Sequence, residues 1–131
     1  MEVVENALIV DGFRVEKAEW IARLATHDVL PEILRERDRQ DAKFGPQDHP
    51  SFDEVPHAEK LAREVAADAA RDACAEAFSA GRGTWQNVLL EEVYEAMAEV
   101  DDDTKLEEEL IQIAAVAVAW VESLRRKRAE V

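Results

Sequence analysis

The stretch Leu89–Trp120, LLEEVYEAMAEVDDDTKLEEELIQIAAVAVAW, decides the fold, because it sets carboxylates at helical spacing on two consecutive segments that each read as a helix. In the first, Glu92, Glu95 and Glu99 stand at i, i+3 and i+7. At about 100° per residue all three fall on one helix face. Like charges one turn apart destabilise a helix by roughly 0.2–0.5 kcal/mol per pair, so such a face needs open solvent or a cation. The second segment brings Glu108, Glu109 and Gln112 to one side, with Leu106, Leu110, Ile113, Ala117, Val121 and Leu124 as an apolar stripe opposite.

Between the segments lies only Asp101-Asp102-Asp103-Thr104. A connection that short favours antiparallel neighbours packed side by side. Thr104-x-x-Glu107 reads as a capping box that starts the second helix. An antiparallel pair sets Glu92 and Glu95 across from Glu109 and Gln112, a constellation of oxygen ligands suited to hard divalent cations such as Mg²⁺ or Mn²⁺. A solvated acidic face is the plainer reading of the same residues. Against it stands the run Leu110–Val121, apolar around most of the helix, which implies burial on more than one side and an oligomer, a homodimer or homotetramer, to supply the cover.

At these residues the chain resembles the MazG-like, all-α nucleoside triphosphate pyrophosphohydrolases. That family carries ExxE on one helix and ExxD on the next, together holding Mg²⁺. Glu92-Val93-Tyr94-Glu95 matches the first half, and Glu109-Leu110-Ile111-Gln112 matches the second except at its last position, where Gln112 stands in place of Asp. A Gln carbonyl oxygen can coordinate a cation but brings no charge. Upstream, Arg39-Gln40-Asp41-Ala42-Lys43-Phe44-Gly45-Pro46-Gln47-Asp48-His49 is similar to the RQ-x-x-K-W-G-x-Q-x-H stretch of phage and bacterial members, with Phe44 where Trp is common.

The resemblance implies a Mg²⁺-dependent hydrolase that splits a nucleoside triphosphate into monophosphate and pyrophosphate. Glu92, Glu95, Glu109 and, more weakly, Gln112 become metal ligands. Glu91 or Glu108 becomes the group that orients the attacking water. Arg39 and Lys43, at i and i+4, become candidates for phosphate contact, although a solvated face with ion pairs to Glu36 or Asp41 explains them equally well. Phe44 is a candidate for stacking on a base, or else a packing anchor at a helix end. Gln112 also leaves room for a catalytically weakened nucleotide- or metal-binding assembly module.

Composition narrows the alternatives. The 131 residues suit a single domain, and 4 Gly and 4 Pro among many Ala, Glu, Leu and Arg favour an all-α bundle of four to five helices. With 30 acidic against 16 basic residues the formal net charge is −14, which repels nucleic-acid backbones. One cysteine, Cys74, makes no intramolecular disulfide, and the acidic start Met1–Asn6 does not resemble a signal peptide. A cytoplasmic protein without a membrane segment is expected.

Around the central stretch, Ala7–Val10 and Phe13–Val15 flank Asp11-Gly12, a hairpin signature for an arm over residues 1–15 that a frayed terminus would equally explain. A short helix is expected over residues 16–25, broken at Thr26-His27-Asp28, with Pro31 opening another that ends at Gly45-Pro46. Pro56-His57 opens a long alanine-rich helix ending at Ser79 before Gly81, with Cys74 as a small core residue. Thr84 caps the next helix, with Trp85 in its first turn. The metal-binding helix pair is thus expected over residues 84–128. Trp120 belongs to the core, and Arg125–Arg128 complement the last helix's dipole. No P-loop, Ser-His-Asp or Cys-His arrangement is suggested.

Overall fold

The computed structural model describes the backbone of residues 2–4, 7–10 and 13–129, and the side chains of residues 28–129. The fold is all-α, with four helices among the described residues: α1 (Lys17–Phe44), α2 (His57–Ser79), α3 (Trp85–Ala98) and α4 (Asp103–Ala129). Ahead of them β1 (Glu2–Val4), β2 (Ala7–Val10) and β3 (Phe13–Glu16) pair antiparallel in chain order. Val10 pairs with Phe13 and Leu8 with Val15, the register of a two-residue hairpin connection. The Asp11-Gly12 turn lies outside the described residues.

One expectation is corrected at α1. No break occurs at Thr26-His27-Asp28, and Pro31 sits inside a continuous helix of 28 residues. An interior proline removes one ladder hydrogen bond and costs about 3 kcal/mol. Good helix formers on both sides, Leu30 and Glu32 through Arg39, continue the helix across it, and neighbouring Val29 is buried. The helix stops at Gly45, whose φ of 67° is left-handed and whose N–H reaches the Asp41 carbonyl at 2.8 Å.

The chain divides into two compact units, Met1–Gln47 with Val121–Val131, and Asp48–Trp120. In the first, α1 packs on β2 and β3. Glu32 on α1 pairs with Arg125 on the end of α4, and Val29, Ile33 and Val121 line an apolar groove beside that pair.

In the second unit α2 and α3 form a close-packed antiparallel hairpin. Small residues on α2 make the approach possible: Ala67, Cys74 and Ala77 are buried, as is Ala96 on α3. Cys74 is therefore the small core residue that its neighbours in sequence implied. Arg63 donates to the Met97 carbonyl at 3.1 Å, satisfying an end group of α3, and Lys60 pairs with Asp101 at 3.1 Å. Between the helices the chain turns at Gly81, φ 74°. There Gly81 N–H bonds Phe78 O at 3.1 Å and Arg82 N–H bonds Ala77 O at 2.9 Å, a Schellman ending.

Caps fix the two helices that matter most. The Thr84 hydroxyl accepts from Asn87 N–H at 3.1 Å while Asn87 Oδ1 accepts from Thr84 N–H at 3.0 Å, a reciprocal capping box at the start of α3. At α4 the expected Thr104 box is not what caps the helix. Asp102 Oδ1 accepts from Lys105 N–H at 3.0 Å, because a carboxylate two residues earlier binds the first free N–H groups and favours the positive end of the helix dipole.

The expected apolar stripe on α4 is also rotated. Leu106 and Val118 are buried and Ile113 is half-buried, but Leu110, Ala117 and Leu124 are exposed. Glu109 is half-buried with the first set. The packed face of α4 thus carries Glu109 within it instead of opposite it. Within the single chain Leu110 and Ile111 remain 49% and 66% exposed.

Candidate metal centre

Glu92 and Glu95 come from α3 and Glu109 from α4, and one carboxylate oxygen of each lies within 4.8 Å of the others. The antiparallel crossing is fixed further along by the indoles of Trp85 and Trp120, stacked at 6.4 Å between centroids and 12° between planes. Trp85 lies ten residues before Glu95 and Trp120 eleven after Glu109, rises of about 15 and 16 Å, so the stack and the Glu95–Glu109 approach are compatible with one antiparallel register.

The electrostatics of the cluster are strained. Glu92 Oε2 and Glu109 Oε2 are buried without a hydrogen-bond partner. Burial, then the charges of Glu95 and Glu92, push the Glu109 carboxyl up to about 7. Burial and the charge of Glu95 also raise Glu92, while a bond to Glu109 opposes the rise. A proton on Glu109 supplies the missing donor between these oxygens, and so would any cation. Three carboxylates are a hard donor set, and a Mg²⁺ ion binds such oxygens at about 2.1 Å. The residues present therefore suit a hard divalent cation in their donor chemistry.

A cation already touches one member. Arg71, on α2, donates from Nε and Nη2 to Glu95 Oε1 at 3.3 and 3.2 Å, and from Nη1 to Asp68 at 3.2 Å. Arg71 also borders an open pocket of about 200 Å³ with Glu64, Asp68, Glu95, Glu99 and Glu109. The sequence reading missed this residue. Its only local signal is an i, i+3 pairing with Asp68, which any surface helix can show.

The other expected site residues fall outside this trio. Glu91 is half-buried on α3 beside Cys74, whose thiol is pushed up by burial and then by Glu91 and Glu92. Glu108 and Gln112 are exposed on α4. Arg39, Lys43 and Phe44 lie on the last turns of α1, in the other unit. There Arg39 Nε donates to Glu36 at 2.8 Å, which with Gln40 holds the Glu36 carboxyl down at about 2. Lys43 sits 5.1 Å over the ring of Phe44, which is 60% exposed. The local ion pair anticipated for Arg39 is thus present. Among the described residues no helix is long and apolar enough to cross a membrane.

No protein-family model, no curated protein and no solved structure matches this chain.

Proposed function

We propose that this protein is a Mg²⁺-dependent nucleoside triphosphate pyrophosphohydrolase of the MazG-like kind, releasing nucleoside monophosphate and pyrophosphate. The observation that carries the reading is the meeting of Glu92, Glu95 and Glu109 from two antiparallel helices, with two buried oxygens lacking any donor. The order and spacing of these residues resemble the family's ExxE and ExxD motifs, which supply the substrate class.

In this scheme Glu92, Glu95 and Glu109 hold the ion, with Gln112 as a weaker neutral ligand. The chemistry supplied by such an ion is neutralisation of phosphate charge, without which a chain of net charge −14 would repel its substrate. Water adds to the α-phosphorus, the α–β anhydride breaks, pyrophosphate leaves, and a carboxylate takes the proton of the water. Glu91, half-buried and next to Glu92, is better placed for that role than exposed Glu108. Arg39 and Lys43 are proposed to bind phosphate, and Phe44 to stack on the base, at the metal site of a neighbouring chain. The pocket of about 200 Å³ beside the cluster is below the roughly 300 Å³ at which small-molecule sites begin. It suits phosphates and an ion, and the nucleoside would find its pocket in a homodimer or homotetramer. A cytoplasmic location goes with this reading.

A panel of common and damaged nucleotides, incubated with Mg²⁺ or Mn²⁺ and resolved by chromatography, tests it. Monophosphate and pyrophosphate in equal amounts are expected. Stoichiometric orthophosphate, or no turnover of any nucleotide, would remove it. The second outcome would favour the weakened nucleotide- or metal-binding module, which the exposed, uncharged Gln112 and the engagement of Glu95 by Arg71 also favour.

A further inference from the structure

We infer that Arg71 is the cluster's built-in counter-ion, a positioning residue that occupies Glu95 until a divalent cation takes its place. The inference rests on the cation-site reading above and extends it to a residue that no motif contains.

Two N–H groups of one guanidinium converge on a single oxygen, Glu95 Oε1, at 3.3 and 3.2 Å, while the third nitrogen is held by Asp68 at 3.2 Å. Glu95 is therefore the one carboxylate of the three with a cation bound to it, whereas Glu92 Oε2 and Glu109 Oε2 have no donor. Arg71 is also the one basic residue among those lining the pocket beside Glu95 and Glu109. A cation entering between the three carboxylates meets a fixed positive charge on one of its ligands. It must displace the guanidinium from Oε1 or bear its repulsion. Displacement is open to Arg71, because its side chain is 53% exposed and Asp68 can keep hold of it. Arginine has the chemistry for this, since it stays charged at every working pH and its fork can release one carboxylate while remaining on another.

The direction of the effect separates this role from a structural one. A merely structural Arg71 would orient Glu95, and its loss would weaken cation binding. A counter-ion competes, so its loss tightens binding.

The experiment is a calorimetric titration of Mn²⁺ into the nucleotide-free full chain at low ionic strength, for wild type, Arg71→Gln and Arg71→Lys. Helical content measured beforehand confirms that each variant is folded. Arg71→Gln should bind Mn²⁺ roughly three- to tenfold more tightly, the range expected for removing one screened charge beside a divalent ion. Arg71→Lys, which keeps the charge but loses the fork, should fall between the two. Equal or weaker binding by Arg71→Gln overturns the counter-ion role and leaves the cation site standing. Absence of Mn²⁺ binding in wild type and both variants overturns the site and the role together.

Discussion

Trp85 and Trp120 stack 6.4 Å apart and 12° from parallel, one at the start of α3 and the other far along α4. Such a pair adds about 0.5–1.5 kcal/mol beyond the area it buries, and it fixes how α4 slides along α3. Trp120→Ala should cost about 2–3 kcal/mol, less than a fully buried Trp because both indoles are only half-buried. It should also loosen the carboxylate cluster and weaken Mn²⁺ binding. Near-ultraviolet circular dichroism reports loss of the stack and thermal melts report the stability. A variant with unchanged Mn²⁺ affinity would show that the register is set elsewhere.

Glu109 gives a pH dependence with a definite sign. In the folded, cation-free chain its carboxyl titrates at about 7, against 4.5 for the free side chain. Between those values the folded state binds more protons than the unfolded one, so stability falls as pH rises through that window and levels off above it. The wild-type melting temperature without divalent ions should drop between about pH 4.5 and pH 7, and Glu109→Gln should flatten that drop. Glu36, held down at about 2 by Arg39 and Gln40, has the opposite dependence, and only below 4.5. Parallel pH profiles for wild type and Glu109→Gln would contradict the strain assigned to the cluster.

Gly83 is held by a neighbour's ring. A Cβ built there would lie 2.6 Å from Phe78 Cδ2, so the Phe78 ring, 53% exposed, must shift to make room. Gly83→Ala should push the half-exposed Phe78 ring aside and destabilise the α2–α3 connection by about 1 kcal/mol, the low end of the range for overpacking. Denaturant melts test this, and Phe78→Ala in the same background should restore part of the loss. A Gly83→Ala protein as stable as wild type would mean that the ring has room to move.

The approach of Glu92, Glu95 and Glu109 was legible in the sequence, since helical period and a four-residue connection leave few alternatives to an antiparallel pair. Which face of α4 packs was not. Leu110 and Ile113 are equally apolar by sequence, and only the seat of α4 on its neighbours leaves Leu110 exposed while half-burying Ile113. Arg71 was hidden for a similar reason. The slide of α2 along α3 is set by Ala67, Cys74, Ala77 and Ala96, residues too small to announce their partners. At α1, local rules break the helix at Thr26-His27-Asp28 and open a new one at Pro31, whereas one helix runs through both.

Gln112 stands one turn after Glu109 where the resemblance places Asp. If it is a neutral ligand, Gln112→Asp adds a charged oxygen and should tighten Mn²⁺ binding about tenfold. Its side chain is exposed, so the new charge should cost little stability. Calorimetry on the variant and wild type reads the change. Weaker binding by a folded Gln112→Asp protein would place residue 112 outside the ion's reach.

Self-association is the last expectation, and the apolar residues left on the surface carry it. Leu61 and Val65, one turn apart on α2, are 48% and 67% exposed, and Leu110 and Ile111 on α4 are 49% and 66% exposed. Single exposed apolar residues are ordinary, but adjacent pairs on two helices offer surface that a partner would cover. Each such side chain offers about 1.5–3 kcal/mol on full burial, and two-fold pairing of identical chains is the commonest way to bury a shared patch. Light scattering after size exclusion should therefore give two or four times the single-chain mass of 14.8 kDa. Ile111→Lys, which keeps the helix but sets a charge in the patch, should shift the protein toward the single chain while preserving its helical content. A single-chain mass for wild type at micromolar concentration would end this expectation, and an unaltered oligomer in Ile111→Lys would move the interface off α4.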